Sequence, residues 1–217
     1  MYLPRMATIH ETTVIPTKLE LLTRWLPTRP WYQGTSGTPE LAKAGGFRLD
    51  DPEGEVGLEF MVVTDTSGAS PVAYHVPVTY RGAPLEGAAE QALVGTTEHG
   101  VLGKRWVYDG AHDPVLVGQL LALLHQRAVP QAQSLTDTPD LSVTVHSALS
   151  GELVPADAAV VRDGKDATDI AVRDTATLTV TRVLRPAPEG FDRAHVTATW
   201  QTPDGTERRG VFAELAL

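Results

Sequence analysis

Apolar and polar positions change period several times along this chain, and each change predicts an element. Leu19, Leu22 and Leu26 fall on one side of a helical spacing, and Leu21 and Trp25 widen the stripe. Thr17 ahead of them, with Glu20 three residues on, has the form of a capping box, and Pro27 ends the helix. An apolar stripe of this width is expected to dock on a sheet. A turn-rich stretch from Gly34 to Gly46 follows, and then the period drops to two. Val56, Leu58, Phe60 and Val62 alternate with Gly57, Glu59, Met61 and Val63, and Val72, Tyr74, Val76, Val78 and Tyr80 form a second such run. The turn from Asp65 to Ser70 joins the two as an antiparallel pair. Pro77 has no N–H for a ladder, which predicts an edge strand or a bulge, and His75 is expected on the more solvated strand face. A further strand is predicted over Leu102 to Tyr108. Asp113 suits a helix N-cap and Pro114 the first helical position, and Val117, Leu120, Leu121 and Leu124 recur at helical spacing before the pattern fades by Arg127.

From Ala128 to Asp140 the composition turns to Pro, Gln, Ser, Thr and Asp, the signature of a surface connection and of a boundary near residue 130. Beyond it the pattern is strand-like. Leu141, Val143 and Val145 alternate with polar residues, and Val196, Ala198 and Trp200 lead through Thr202, Pro203, Asp204 and Gly205 to Val211, Ala213 and Leu215, a closing hairpin. These elements predict an α+β protein in two parts, residues 1–130 and a β-rich subdomain over residues 131–217.

At 217 residues, with 42% hydrophobic and 21% charged side chains, the chain can bury a core. Its formal charge of -9 opposes a polyphosphate backbone, so nucleic acid is not an expected partner. Without cysteine there is no disulfide or thiolate metal site. Apolar runs such as Val115 to Leu124 are too short to cross a bilayer, and MYLPRMATIHETT lacks the order of a signal peptide, so a cytoplasmic location with no membrane partner is expected.

Several segments carry a likeness in a fixed order: WLPTRPWYQG at Trp25 to Gly34, YHVPVTYRG from Tyr74, ALVGTTEHGVLG, and VYDGAHDP leading into the leucine-rich helix. Over roughly the first 125 residues this resembles the N-terminal cap of the maltokinase family of sugar kinases. The resemblance implies a cap in which a curved antiparallel sheet wraps a helix, somewhat like cystatins, placed on the N-lobe of a kinase. DATDIAVRDTATLTVTRVLRP, Asp166 to Pro186, looks like a weakened copy of the intermediate segment that follows the cap, with Thr181 at the position of the phosphate-contacting lysine. A threonine supplies no positive charge for phosphates. The family's catalytic lobe also needs an asparagine for magnesium, and this chain contains none, so a self-sufficient kinase is not expected. The resemblance implies a non-catalytic accessory or binding module, without a cofactor, linked to α-glucan, maltose 1-phosphate or trehalose metabolism. Its partner would be a small sugar or a kinase-like or glucan-metabolising protein.

The residues offer few rival chemistries. HGVLGKR, with Gly100, Gly103 and Lys104, has the wrong spacing for a phosphate loop and is expected to be a bend entering a strand. Ser36 beside Gly37 lacks the strand-then-helix setting of a nucleophile elbow. Glu98, His99, Asp109 and His112 form a loose polar cluster, the one place where an unrecognised enzyme could operate if the side chains converge. Trp25 and Trp106 fall on faces expected to be buried. Trp31 and Tyr32, in a proline-bounded loop, are the better candidates for an exposed contact that stacks on a sugar ring.

Overall fold

The computed structural model describes residues 14–34, 37–134, 138–149, 160–173, 176–187, 190 and 192–217. MYLPRMATIHETT and Ser36 lie outside the described residues. Strand β1, Val14–Ile15, precedes helix α1, Lys18–Trp25. The capping box forms as the sequence predicts: Glu20 N donates to Thr17 Oγ1 at 3.3 Å and Thr17 N to a Glu20 carboxylate oxygen at 2.7 Å. Pro27 then falls in a short 3-10 turn, Leu26–Thr28.

The next five strands are β2, Leu41–Leu49; β3, Gly57–Asp65; β4, Val72–Arg81; β5, Leu93–His99; and β6, Gly103–Asp109, of which the first three form a meander and the last two a hairpin that pairs through β6 with β4. Helix α2, Pro114–Leu124, starts from Asp113, whose side chain accepts from Val115 N. The remaining strands are β7, Gln131–Ala132; β8, Thr144–His146; β9, Val160–Asp163; β10, Ala167–Arg173; β11, Ala176–Thr181; β12, Ala194–Gln201; and β13, Glu207–Ala216. All pair antiparallel in the order β1-β5-β6-β4-β3-β2-β12-β13-β11-β10-β9, with β7 on β2 and β8 on β12. The fold is β-rich and mostly antiparallel, and the predicted closing hairpin is β12–β13.

Two buried clusters lie against β3, and its alternation assigns each to one face. Met61 and Val63 join Leu21, Leu22, Trp25, Leu26, Trp31, Tyr74, Val76 and Val78 in one. Leu58, Phe60 and Val62 join Phe47, Leu120, Leu121, Ile170, Leu178, Val196 and Phe212 in the other. A strand covered on both faces has no solvated side, and this overturns the expected place of His75, which is 0% exposed.

Other expectations shift for local reasons. The turn-rich stretch is strand β2 from Leu41 onward: its glycines Gly45 and Gly46 sit at a bulge between Lys43 and Gly45, where the strand meets Trp200 of β12. ALVGTTEHGVLG is not a loop but the hairpin β5–β6, with the expected bend only at its tip. Pro77 lies on an inner strand. Its missing N–H falls where the neighbour of β4 changes, because His75 N donates to Arg182 O at 2.9 Å while β6 begins to pair only at Val78. The connection after Ala128 is pinned to the sheet by β7, which pairs with Phe47 and Arg48.

Gly46 has φ +126°, and a Cβ there would stand 2.2 Å from the Phe60 carbonyl oxygen, whereas Gly87, at φ +71°, has open space around it. Gly46→Ala should therefore lose at least about 3 kcal/mol of unfolding free energy, and Gly87→Ala about 1 kcal/mol. Urea midpoints of the two variants against the parent protein check this.

Candidate functional site

The polar cluster expected from the sequence does not converge. Glu98 pairs in register with Lys104 and His99 with Gly103, whereas Asp109 closes the far end of β6 opposite Val78. Five residues of strand between Lys104 and Asp109 amount to about 16 Å. Glu98 is exposed. His99 Nδ1 accepts from Val101 N at 3.3 Å and Leu102 N at 3.1 Å, which shapes the bend ahead of Gly103. His112 is half-buried in the 3-10 turn Gly110–His112. Among the described residues no group of three or more metal-capable side chains assembles.

Trp31 is 0% exposed, so it presents no stacking face to solvent. Its ring packs edge-on against Trp25 at 5.8 Å between centroids and leans on Tyr74 at 6.0 Å. Tyr32 stays half-buried, and its hydroxyl donates to Asp65 at 2.7 Å. Burial and that bond push its pKa up to about 12, so it remains a neutral donor. Trp106, expected to be buried, is only half-buried, with Lys104 Nζ 5.0 Å from its ring centroid. Trp25 is buried as expected.

The strongest electrostatic feature escaped the sequence pattern. Arg182 is fully buried and directs Nη2 at both carboxylate oxygens of Asp109, at 2.7 and 2.8 Å. Its Nε donates to Thr168 Oγ1 at 2.7 Å, and its guanidinium lies 5.0 Å from the Trp31 ring centroid. Arg182 stands next to Thr181, so the cation nearest that threonine is sealed in an ion pair. Asp113, expected only as a cap, also takes a two-pronged bond from Arg81, Nε to Oδ2 at 2.6 Å and Nη2 to Oδ1 at 2.7 Å, and a third from Thr79 at 2.7 Å.

A third buried carboxylate, Glu59, receives Lys18 Nζ at 2.5 Å, the Tyr80 hydroxyl at 2.7 Å and Gln133 Nε2 at 2.7 Å. Burial pushes the Glu59 pKa up, but the Lys18 charge and these donors outweigh it, and the group is held below the usual carboxylate range. Lys18 opens α1 and also lies 5.1 Å over the Tyr80 ring, so this cluster fastens the helix to the sheet. His75 Nδ1 donates to Thr181 O at 2.9 Å, and its ring lies among Phe60 and Phe212. Burial drives its pKa down to about 3. Asp109, Asp113, Glu59, Arg182 and His75 each have a structural partner, and the arrangement positions elements.

Comparison with known families locates this architecture. Residues 25–113 match the family model of the maltokinase N-terminal cap domain. The match runs from the end of α1 through β2 to β6 and closes on Asp113, narrower than the 125 residues over which the sequence carries its likeness. Trp31, Asp109 and Asp113 lie inside it, and Arg182 outside.

Removing one partner of the buried pair strands the other, so Asp109→Ala should cost about 3–5 kcal/mol, while Asp109→Ala with Arg182→Met should recover much of that loss. Chemical denaturation of the single and double variants measures both. His75 gives a pH dependence of known sign. Its folded pKa of about 3 lies below the ordinary histidine value of about 6.5, so the unfolded chain takes up the proton first and stability falls as pH drops from about 6.5 toward 3. The slope due to this group approaches about 1.4 kcal/mol per pH unit, and it should be missing in His75→Gln when denaturation is followed across that range.

Proposed function

The chain carries a maltokinase N-terminal cap domain, and from that premise we propose that it is a non-catalytic accessory module in α-glucan, maltose 1-phosphate or trehalose metabolism. The observation that carries this reading is the Asp109–Arg182 pair. A cap carboxylate and the cation beside Thr181 neutralise one another at 2.7 Å in the interior, and so the Arg182 charge next to the position of the phosphate-contacting lysine is not available to phosphate. In this reading residues 1–130 are a cap in which a cystatin-like curved sheet embraces a helix, residues 131–217 are a degenerate N-lobe segment, and the protein works in the cytoplasm. No helix among the described residues is long and apolar enough to cross a membrane.

One further observation favours docking on a separate kinase-like chain over binding a free sugar. The aromatic ring best placed by sequence to stack on a sugar, Trp31, is buried. Meanwhile Ile15, Val101 and Leu102, 63%, 60% and 46% exposed, gather where β1 meets the tip of the β5–β6 hairpin. Apolar side chains grouped at one sheet edge fit a protein contact.

A thermal-shift panel with ATP plus magnesium, maltose, trehalose and maltose 1-phosphate separates the readings, because a ligand that binds only the folded chain raises its melting temperature. The accessory reading expects no shift with ATP and magnesium, and a shift with a sugar assigns it to the sugar-binding form. With no sugar shift, a complex with a maltokinase catalytic chain that is lost in Val101→Asp supports docking. A magnesium-dependent ATP shift overturns the proposal.

A further inference from the structure

One face of the β5–β6 hairpin is open at the tip end, and it carries charges of both signs in register. Cross-strand partners point to the same side of a sheet, so the pairs Ile15–Glu98 and Glu98–Lys104 put three side chains in one row across β1, β5 and β6. Thr96 and Trp106 form the next row on that face. Helix α1 packs on the opposite face, where Leu21 lies against Gly95 and shares a cluster with Val107. The loop after β4 reaches the open face at Tyr108, whose hydroxyl accepts from Leu85 N at 3.0 Å. Tyr108 lies at the far end of β6 from the tip, so the first row stays in solvent, with Ile15, Glu98 and Lys104 all exposed. Glu98 and Lys104 stand opposite one another, yet neither belongs to an ion pair among the described residues. The Lys104 ammonium instead lies 5.0 Å from the Trp106 ring centroid.

We propose that this end of the hairpin is a self-association face, occupied by a second copy of the chain related by a two-fold axis. An axis parallel to the strands and midway between β5 and β6 sets β5 of one copy over β6 of the other and leaves positions along the strands unchanged. Glu98 of each copy then faces Lys104 of the other, so the contact is self-complementary, as an isologous interface requires. An axis across the strands would instead set Glu98 against Glu98 and Lys104 against Lys104. A partner of a single charge sign would satisfy one of these residues and oppose the other, whereas a second copy supplies both counter-charges at the spacing of the row. Ile15, Val101 and Leu102 add exposed apolar area around the two ion pairs. The face is small, two strands of seven residues and the two residues of β1, and each copy carries a net charge of -9. The dimer is therefore of the weak, concentration-dependent class. Because it covers the residues offered for docking on a kinase-like chain, it is a form in which that contact is closed. The inference itself needs no such chain and stands apart from the accessory reading.

The test is sedimentation velocity of the full chain from about 10 μM to about 1 mM, the range in which so small a face associates. The mass should rise with concentration from 23.3 kDa toward twice that value. Glu98→Lys and Lys104→Glu, both at exposed positions, should each raise the dimer Kd at least about tenfold, because like charges then face one another at both contacts. The variant with both changes restores opposite charges at each contact and should return to within about threefold of the parent Kd. A chain still monomeric at the highest concentration, a dimer indifferent to the single reversals, or a double variant no tighter than the singles each overturns the face.

Discussion

The packing of this molecule depends on a cation and an anion that meet in its interior. Arg182 and Asp109 are 73 positions apart in sequence and both essentially out of solvent. Withdrawing two charges from water costs several kcal/mol each, and their attraction returns that cost only when the geometry is good and the other polar atoms are bonded. Asp109 supplies both oxygens to one guanidinium nitrogen and also accepts from Ala111 N at 3.1 Å, while Arg182 is held by Thr168 and faced by Trp31. The net gain over an apolar pair is small. The consequence is specificity: any sliding of the C-terminal strands against the cap leaves a buried charge unpaired.

The same residue fixes the main chain. Arg182 O accepts from His75 N, and Leu184 N donates to Ala73 O, so the segment after β11 becomes the neighbour of β4 just where β6 is absent. Pro77, with no donor, occupies the handover. The His75 imidazole reaches Thr181 O from the same strand, and its neutrality follows from sitting between Phe60 and Phe212. One short stretch, Thr181 to Leu184, thus shares two backbone bonds, a side-chain bond and an ion pair with the matched cap segment. The cap and the strands beyond it share one interior, and a substitution on either side of the junction is felt on the other.

What could be read in advance was whatever the chain states locally. The Thr17–Glu20 box, the Asp113–Pro114 helix start, the alternation of β3 and β4 and the Pro203–Gly205 turn each signal within a few residues, and each element formed where its signal lay. The failures share a different cause. Period-two alternation distinguishes two faces without saying that either meets water, so His75 looked solvated beside Tyr74 and was buried by strands more than a hundred residues later. Gly45 and Gly46 looked like a turn because glycine serves bulges and turns alike. Trp31 looked exposed because its loop is bounded by prolines, whereas Trp25, Tyr74 and the distant Arg182 guanidinium close around its ring. Of the candidate site, the residue types were legible and their convergence was not. Glu98 and His99 belong to one end of a hairpin and Asp109 to the other, a separation that register alone determines.

Polarity is distributed unequally between the two faces of the C-terminal sheet, and this narrows where that part can meet a ligand. Inside, Thr168 accepts from Arg182 Nε, and Thr181 accepts from His75 through its carbonyl. On the other face, successive registers line up His146, the buried His195, Glu214, Thr179, Asp169 and Arg162 in one row across β8, β12, β13, β11, β10 and β9. Strand spacing sets neighbouring members of such a row about 5 Å apart, near enough for each to adjust the charge and orientation of the next. Thr179 already donates to Asp169 at 2.7 Å, and Arg193 bridges toward Glu214, so the row is partly ordered before anything binds. An apolar partner would find little area there. A small polar molecule would meet donors and acceptors already in place along this row, whose order is set by the cross-strand registers of the sheet.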